Sequence, residues 1–380
     1  MKIIFAKERV FPGVQRAISI MPSKSGAAAL RALWINAKDD TLTIQSTDAN
    51  LEFTGSYPAE VQEPGFIGIQ GQIFSGLVGT CQGNVELSYT EGDGSVQLTH
   101  AAGVCKLPVQ SLNWYASMKP FPETPLIDWS GDMVKEIIDR ISFCINDDAT
   151  TLDALSCLYI TRNDERIDIC GLNGHEFARY TIIHDQMMHN LPEDGVLIQR
   201  SYLSHLNKFL NNDEIEVNFT DSSAFFKNSN NEMLTIPRVA NIIYPNYKNF
   251  LSRLEEFSTL TVEKDAFMHA LNRIATVNTD TDSCTDLNID ESNTFIKCSA
   301  NIENTGEVEE KISITYDGNI RKISFRTKHL LTILDHFVSK TITMRLTSDV
   351  GPCSFEGDDD PFYQVVLMPV HTIEKEYVES

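Results

Sequence analysis

Residue types that could do chemistry are present, but their spacing argues against most of it. Asp280-Thr281-Asp282-Ser283-Cys284-Thr285-Asp286, ending at Asp290-Glu291, imitates a calcium loop. Cys284 stands where an oxygen ligand is needed and Thr285 where the turn requires glycine, so an acidic connecting loop is the plainer reading. A second acidic run, Glu356-Gly357-Asp358-Asp359-Asp360, offers carboxylates in the same way. Eight cysteines, at 81, 105, 144, 157, 170, 284, 298 and 353, never form the CxxC pair that aims two sulfurs at one zinc. Buried free thiols in a reducing compartment account for them. No GxxxxGK[ST] phosphate loop, GxSxG elbow or HExxH motif occurs. Gly92-Asp93-Gly94 reads as a hairpin turn, and His184 and His189 as surface or satisfied core. The expectation is a non-catalytic protein without metal or cofactor. A metal-dependent enzyme using the loops at 280–291 and 356–360 is the alternative on this point.

The elements that would carry such residues repeat. Ile67-Gly68-Ile69-Gln70, Val196-Leu197-Ile198-Gln199 and Ile323-Ser324-Phe325-Arg326 each lead into a helical pattern, at spacings of 129 and 127 residues. Each helix is followed by an alternating strand, at Val85–Tyr89, Ile215–Phe219 and Ile342–Leu346. A second set of helical segments begins near Lys7, Ser130 and Glu263, with apolar spacing such as Val134, Ile137, Ile138 and Ile141. The pattern predicts an α+β fold of three similar domains, each with two helices and antiparallel sheet. Their bounds are 1–123, 124–250 and 251–380, with a short acidic tail at 371–380. The proline-rich Lys119-Pro120-Phe121-Pro122-Glu123-Thr124-Pro125 marks the first linker.

Across 380 residues, 42% are hydrophobic and 22% charged, enough for packed cores. No apolar run approaches the roughly 18 residues of a membrane span, and Ile3-Ile4-Phe5-Ala6 is too short for a signal peptide. A cytoplasmic protein with no membrane partner is expected. The net charge of −22 is unevenly placed. The helical segments 7–21, 70–82, 130–145, 199–210, 263–277 and 326–339 hold eleven basic and seven acidic residues, or +4, against −26 elsewhere. A mildly basic helical surface on an acidic body would attract backbone phosphates without reading sequence, although a merely solvated helix face has the same composition.

Four features in register resemble the bacterial DNA polymerase III beta subunit family, the sliding clamps, from Met1 to about Val370. They are the three-unit organisation, Cys170-Gly171-Leu172-Asn173-Gly174-His175-Glu176-Phe177-Ala178, Tyr244-Pro245-Asn246-Tyr247-Lys248 and Val365-Val366-Leu367-Met368-Pro369-Val370. The resemblance implies a ring-forming DNA clamp: a homodimer closing around double-stranded DNA, helices toward the hole. Such a clamp tethers the replicative DNA polymerase and needs a separate ATPase loader. It implies sequence-independent DNA contact through Arg9, Arg16, Lys24, Lys135, Arg140, Arg200, Lys208, Arg273 and Lys328. It also implies a groove for short peptides of the polymerase, clamp loader, repair polymerases and mismatch-repair proteins. The groove wall would be Leu155, Leu172, Gly174, His175, Phe177, Pro245, Phe250, Val366, Met368, Pro369 and Val370.

Ring closure would join Val104, Lys106 and Leu107 of one copy to Thr276 and Val277 of the other. Glu303, Glu307, Glu309 and Glu310 would face basic residues such as Lys106. Glu176 and Asn249 stand where the family often has Arg, which predicts weaker electrostatic help to an acidic peptide. The tail is expected to lie near the groove and modulate access. The alternative is a three-domain interaction scaffold that never encircles DNA.

Overall fold

Period-two alternation dominates the chain, and the strands follow it: Thr41–Thr47 and Glu52–Pro58 bury every second residue. The structure, a computed structural model, describes residues 1–22, 27–123, 126–147, 153–211, 213–254, 256–277, 283–302 and 306–370. Lys24, Glu303, the first residues of the 280–291 loop and the tail 371–380 lie outside the described residues.

Among the described residues there are eight α-helices: α1 Lys7–Ser19, α2 Gly71–Thr80, α3 Gly131–Ser142, α4 Asp185–Asn190, α5 Arg200–Phe209, α6 Tyr247–Leu251, α7 Lys264–Ala275 and α8 Thr327–Asp335. All six predicted helices appear, and the short α4 and α6 are additions that no apolar periodicity announces. A strand, a helix and then three strands, or four after the first helix, recur six times along the chain. The helices are amphipathic: α7 buries Phe267, Ala270, Leu271 and Ile274, and α8 buries Leu330, Ile333 and Leu334. Ala6, Gln70, Gln199 and Arg326, which precede α1, α2, α5 and α8, make no side-chain cap. These helices are therefore held by packing of the apolar face and not by their own termini.

The chain divides into two compact units, Met1–Ile138 with His184–Asn241, and Asp139–Ile183 with Ile242–Ser380. Among the described residues, the strand pairings whose register is defined are antiparallel. In the first unit thirteen strands run in one order, from Ile127–Ser130 to Glu60–Glu63. The sheet passes from the middle third of the chain to the first third where Glu232↔Gly55 and Leu234↔Phe53 pair. In the second unit, strands Arg166–Leu172 and Glu176–Ile182 are followed by Tyr363–Leu367 and Cys353–Gly357. The turn predicted at Gly92-Asp93-Gly94 is there, with Gly92 at φ +95 and the Asp93 N–H donating to the Thr90 carbonyl at 3.0 Å.

Two buried carboxylates organise these units, and each captures an arginine expected on the DNA-facing surface. In the first, Glu232 accepts from Arg16 Nη1 at 2.9 and 2.8 Å, from Tyr57 Oη at 2.7 Å and from Asn228 Nδ2 at 2.8 Å. Gly13 makes room: a Cβ there would lie 1.6 Å from the Tyr57 hydroxyl. In the second, Arg140 donates to Asp360 at 2.6 Å and stacks its guanidinium over Tyr363 and Tyr180. The expectation for Arg140 is corrected. It is buried because the apolar stripe of α3 carries it into the core, where its charge is neutralised.

Burial pushes the Asp360 carboxyl up, but the Ser339 hydroxyl and N–H, Arg140 and the Val338 N–H outweigh that and hold it below its ordinary value. A depressed carboxyl stabilises the fold above the ordinary carboxylate range and loses that contribution as pH falls through the folded value. Urea unfolding of Asp360→Asn should therefore show a flatter acid limb below about pH 4 than the parent. Arg140→Met, which strands the carboxylate, should cost about 3 kcal/mol at pH 7.

Candidate functional site

Leu172 and Phe177 flank the hairpin between strands Arg166–Leu172 and Glu176–Ile182, and the turn is built by its own side chains. Asn173 Oδ1 accepts from the N–H groups of His175 and Glu176 at 3.0 and 2.8 Å, and its amide donates to Glu176 at 2.8 Å. Gly174 sits at φ +89, a conformation that favours glycine. The buried Glu176 also meets His329 Nδ1 at 2.7 Å. The residue that departs from the family's usual Arg thus ties the hairpin to α8.

Backbone pairing sets the rest. Phe177↔Val366 are register partners, so both side chains rise on one face of the sheet. Phe177 stacks on Tyr247 at 5.5 Å and meets Phe250 edge-on at 4.8 Å. Tyr247 is fixed from below: its hydroxyl donates at 2.8 Å to the fully buried Asp168, which also accepts from Asn163 and Thr181 at 2.8 Å. Burial, then Cys170 and Asp168, push the Tyr247 phenol well up, so it stays a donor.

Two adjoining cavities result. One, of about 180 Å³, is lined by Leu172, Gly174, His175, Phe177, Phe250, Val366 and Met368, with Glu176 and Pro352. The other, of about 190 Å³, is lined by His175, Met368, Pro369 and Val370, with Arg326, His329 and Leu367. His175 and Met368 belong to both walls, and Met368 is 43% exposed. An exposed methionine over aromatic walls suits leucine or phenylalanine anchors of varied shape. Nine of the eleven expected groove residues are therefore brought together. Leu155 and Pro245 line neither cavity: Leu155 sits half-buried in the 3₁₀ turn Ala154–Ser156, and Pro245 is exposed ahead of α6. Pro352, Arg326 and His329 were missed, because the segments that bring them there are remote in sequence.

The basic residues are more committed than composition suggests. Arg273 donates to Glu310 at 2.6 and 2.8 Å, and Lys297 meets Glu309 at 2.7 Å. Both glutamates thus have partners on their own chain. Arg9, Lys208 and Lys328 are exposed, and Lys135 and Arg200 are half-buried. Arg16 and Lys208 border a cavity of about 260 Å³ with His205, whose imidazole burial and then Lys208 hold below its ordinary value. Among the described residues no cluster of three or more His, Cys, Asp or Glu could hold a metal ion. Asp290 instead folds its own turn, accepting from the N–H groups of Ser292, Thr294 and Phe295.

Residues 1–114 match the family described as DNA polymerase III beta subunit, N-terminal domain, and residues 255–371 match its C-terminal domain. A beta sliding clamp of Caulobacter vibrioides is 20% identical over 376 residues, covering 97% of this chain and 100% of that one. A solved beta sliding clamp of Caulobacter crescentus superposes with a TM-score of 0.90 at 19% identity, covering 98% of this chain and 100% of the other. The DNA polymerase sliding clamp of Bacillus subtilis gives 0.88 at 20% identity over the same shares.

Phe250→Ala should leave the unfolding midpoint nearly unchanged while weakening a fluorescent leucine-phenylalanine peptide at least tenfold, since aromatic anchors dominate such sites. Tyr247→Phe should show the reverse in the same two assays. It removes one donor from Asp168, at about 1–3 kcal/mol of stability, and keeps the ring against Phe177.

Proposed function

The chain belongs to the DNA polymerase III beta subunit family, and from that premise we propose that two copies close into a ring around duplex DNA and hold a replicative polymerase there. The protein is a non-catalytic sliding clamp. Its contribution to synthesis is topological, because a closed ring cannot fall off and weak phosphate contacts let it slide.

The observation that carries ring closure is a pair of open strand edges. Strand Gly103–Gln110 pairs along 103–108 with Ser95–His100, and among the described residues only Val109 and Gln110 have strand partners on the other side. Strand Gly306–Tyr316 pairs along 306–313 with Phe295–Ile302, and among the described residues only 314–316 are paired on the other side. Long open edges invite strand addition, and one such edge in the first third of the chain and one in the last suit closure between two copies. Val104 is 56% exposed and Lys106 exposed on the first edge, with Leu107 buried beneath. Thr276 and Glu307 are exposed and Val277 half-buried on the other side of the proposed contact.

Sliding is supported by the commitment of Arg16, Arg140 and Arg273 to internal carboxylates, which leaves a weaker grip on phosphate than +4 would imply. The groove beside Phe177 is the seat for short peptides of polymerases, clamp loader and repair proteins. No helix is long and apolar enough to cross a membrane, and work on DNA assigns the chain to the cytoplasm at the nucleoid.

Loaded by its ATPase onto nicked circular DNA, the protein should co-elute with the circle and be released when the circle is cut. Retention after linearisation would mean ordinary affinity and would end the ring reading. Val104→Lys should weaken self-association by an order of magnitude in sedimentation equilibrium without lowering the unfolding midpoint, because it loads an exposed edge position with charge.

A further inference from the structure

The sheet face that supports the groove carries a second, cationic feature. Alternate residues of a strand share a face, so Phe177, Arg179 and Thr181 rise together from strand Glu176–Ile182. Phe177 lines the groove, while Arg179 and Thr181 line a separate cleft of about 190 Å³ with Arg166, Glu356 and Gln364. Roughly 13 Å of strand separate the two ends, at about 3.3 Å per residue. The ring of Tyr247 lies between them, over Phe177 and above Asp168, and the next residue, Lys248, is exposed.

The carboxylates around this cleft already have partners on the chain. Asp168 accepts from Asn163, Thr181 and Tyr247; Glu356 accepts from Gln364 at 2.8 Å and meets Arg345 at 2.7 Å. Asp360 is held by Arg140 and Ser339. Arg179 is bound through one nitrogen to Gln364 at 2.8 Å and lies 3.8 Å from Asp168. The side chains of Arg166 and Lys248 are exposed and make no hydrogen bond or ion pair among the described residues. On a chain of net charge −22, an arginine lining the cleft and a lysine next to Tyr247 are left without counter-ions among the described residues.

We propose that this cleft is a second seat of the docking surface, taking an acidic side chain of the same partner segment whose apolar anchor fills the groove. The inference rests on the peptide-groove reading. An extended segment covers the separation in about four residues, which sets the spacing between anchor and acid. The cations act as point charges on a half-solvated surface, so the gain is modest, about fivefold, and falls with salt.

The test compares three fluorescent peptides: a short leucine-phenylalanine anchor, the same anchor extended by four residues ending in Asp-Glu, and its Asn-Gln counterpart. The acidic extension should bind the parent about fivefold more tightly than the amide one at low salt. That gain should shrink below twofold in Arg166→Ala, whose melting point and affinity for the short anchor should match the parent's. Equal affinity for the acidic and amide peptides would overturn the proposal, as would a gain that survives both Arg166→Ala and Lys248→Ala. Weakened duplex binding by Arg166→Ala with the acidic gain intact would assign the cleft to nucleic acid instead. Failure of even the short anchor to bind would overturn the groove reading itself, a result separable from the others.

Discussion

The antiparallel pairing of Glu176–Tyr180 with Tyr363–Leu367 is the constraint on which the candidate site depends. Residues almost two hundred positions apart become backbone neighbours, and the pleat then decides which of them share a face. Phe177 and Val366 fall together on the groove side, and Arg179 and Gln364 follow on the same side two residues on. A one-residue slip would send Phe177 to the opposite face and empty the groove. Such slippage is opposed from both faces: Asp168 and Tyr247 act on the groove side, and Tyr180, Tyr363 and Arg140 pack on the other.

Two of the arginines on helices spend their charge on internal carboxylates. Arg16 with Glu232 and Arg140 with Asp360 are buried or half-buried pairs whose carboxylates also accept hydroxyl or amide donors. An ion pair taken out of water is stable only with such extra donors, and Arg140 is buried in its pair while Arg16 keeps part of its side chain exposed. What remains outward is a set of lysines and arginines, several of them paired with carboxylates, on a strongly acidic body. Contacts of that kind are screened and short-lived, which is compatible with motion along DNA and would be incompatible with tight adhesion.

Much of the fold was legible because its signal is periodic. The apolar stripes of α1, α3, α7 and α8 and the alternation of the strands after them are local patterns, and their threefold recurrence is visible without coordinates. The helices α4 and α6 were not legible. Each is only one or two turns long and lacks a stripe of its own, and Tyr247 of α6 is placed by a hydrogen bond to a remote buried aspartate. Nine groove residues were reachable through the motif resemblance. Pro352, Arg326 and His329 had no local mark at all, since nothing in their neighbours says which strand will lie alongside. Arg140 misled because an arginine at the edge of an apolar stripe looks the same in sequence whether it faces water or Tyr363.

Sequence alone determined the classes of element, their order, the absence of nucleotide and nucleophile motifs, and the segregation of basic residues onto helices. These are properties of spacing within a few turns or strands, where the chain's own geometry relates neighbours. Tertiary structure decided which cations are neutralised, which strand edges stay open, and how Phe177, Phe250 and Met368 come to share one wall. Those outcomes follow from pairings between distant segments, whose register is settled only when both faces of the sheet are buried or satisfied at once.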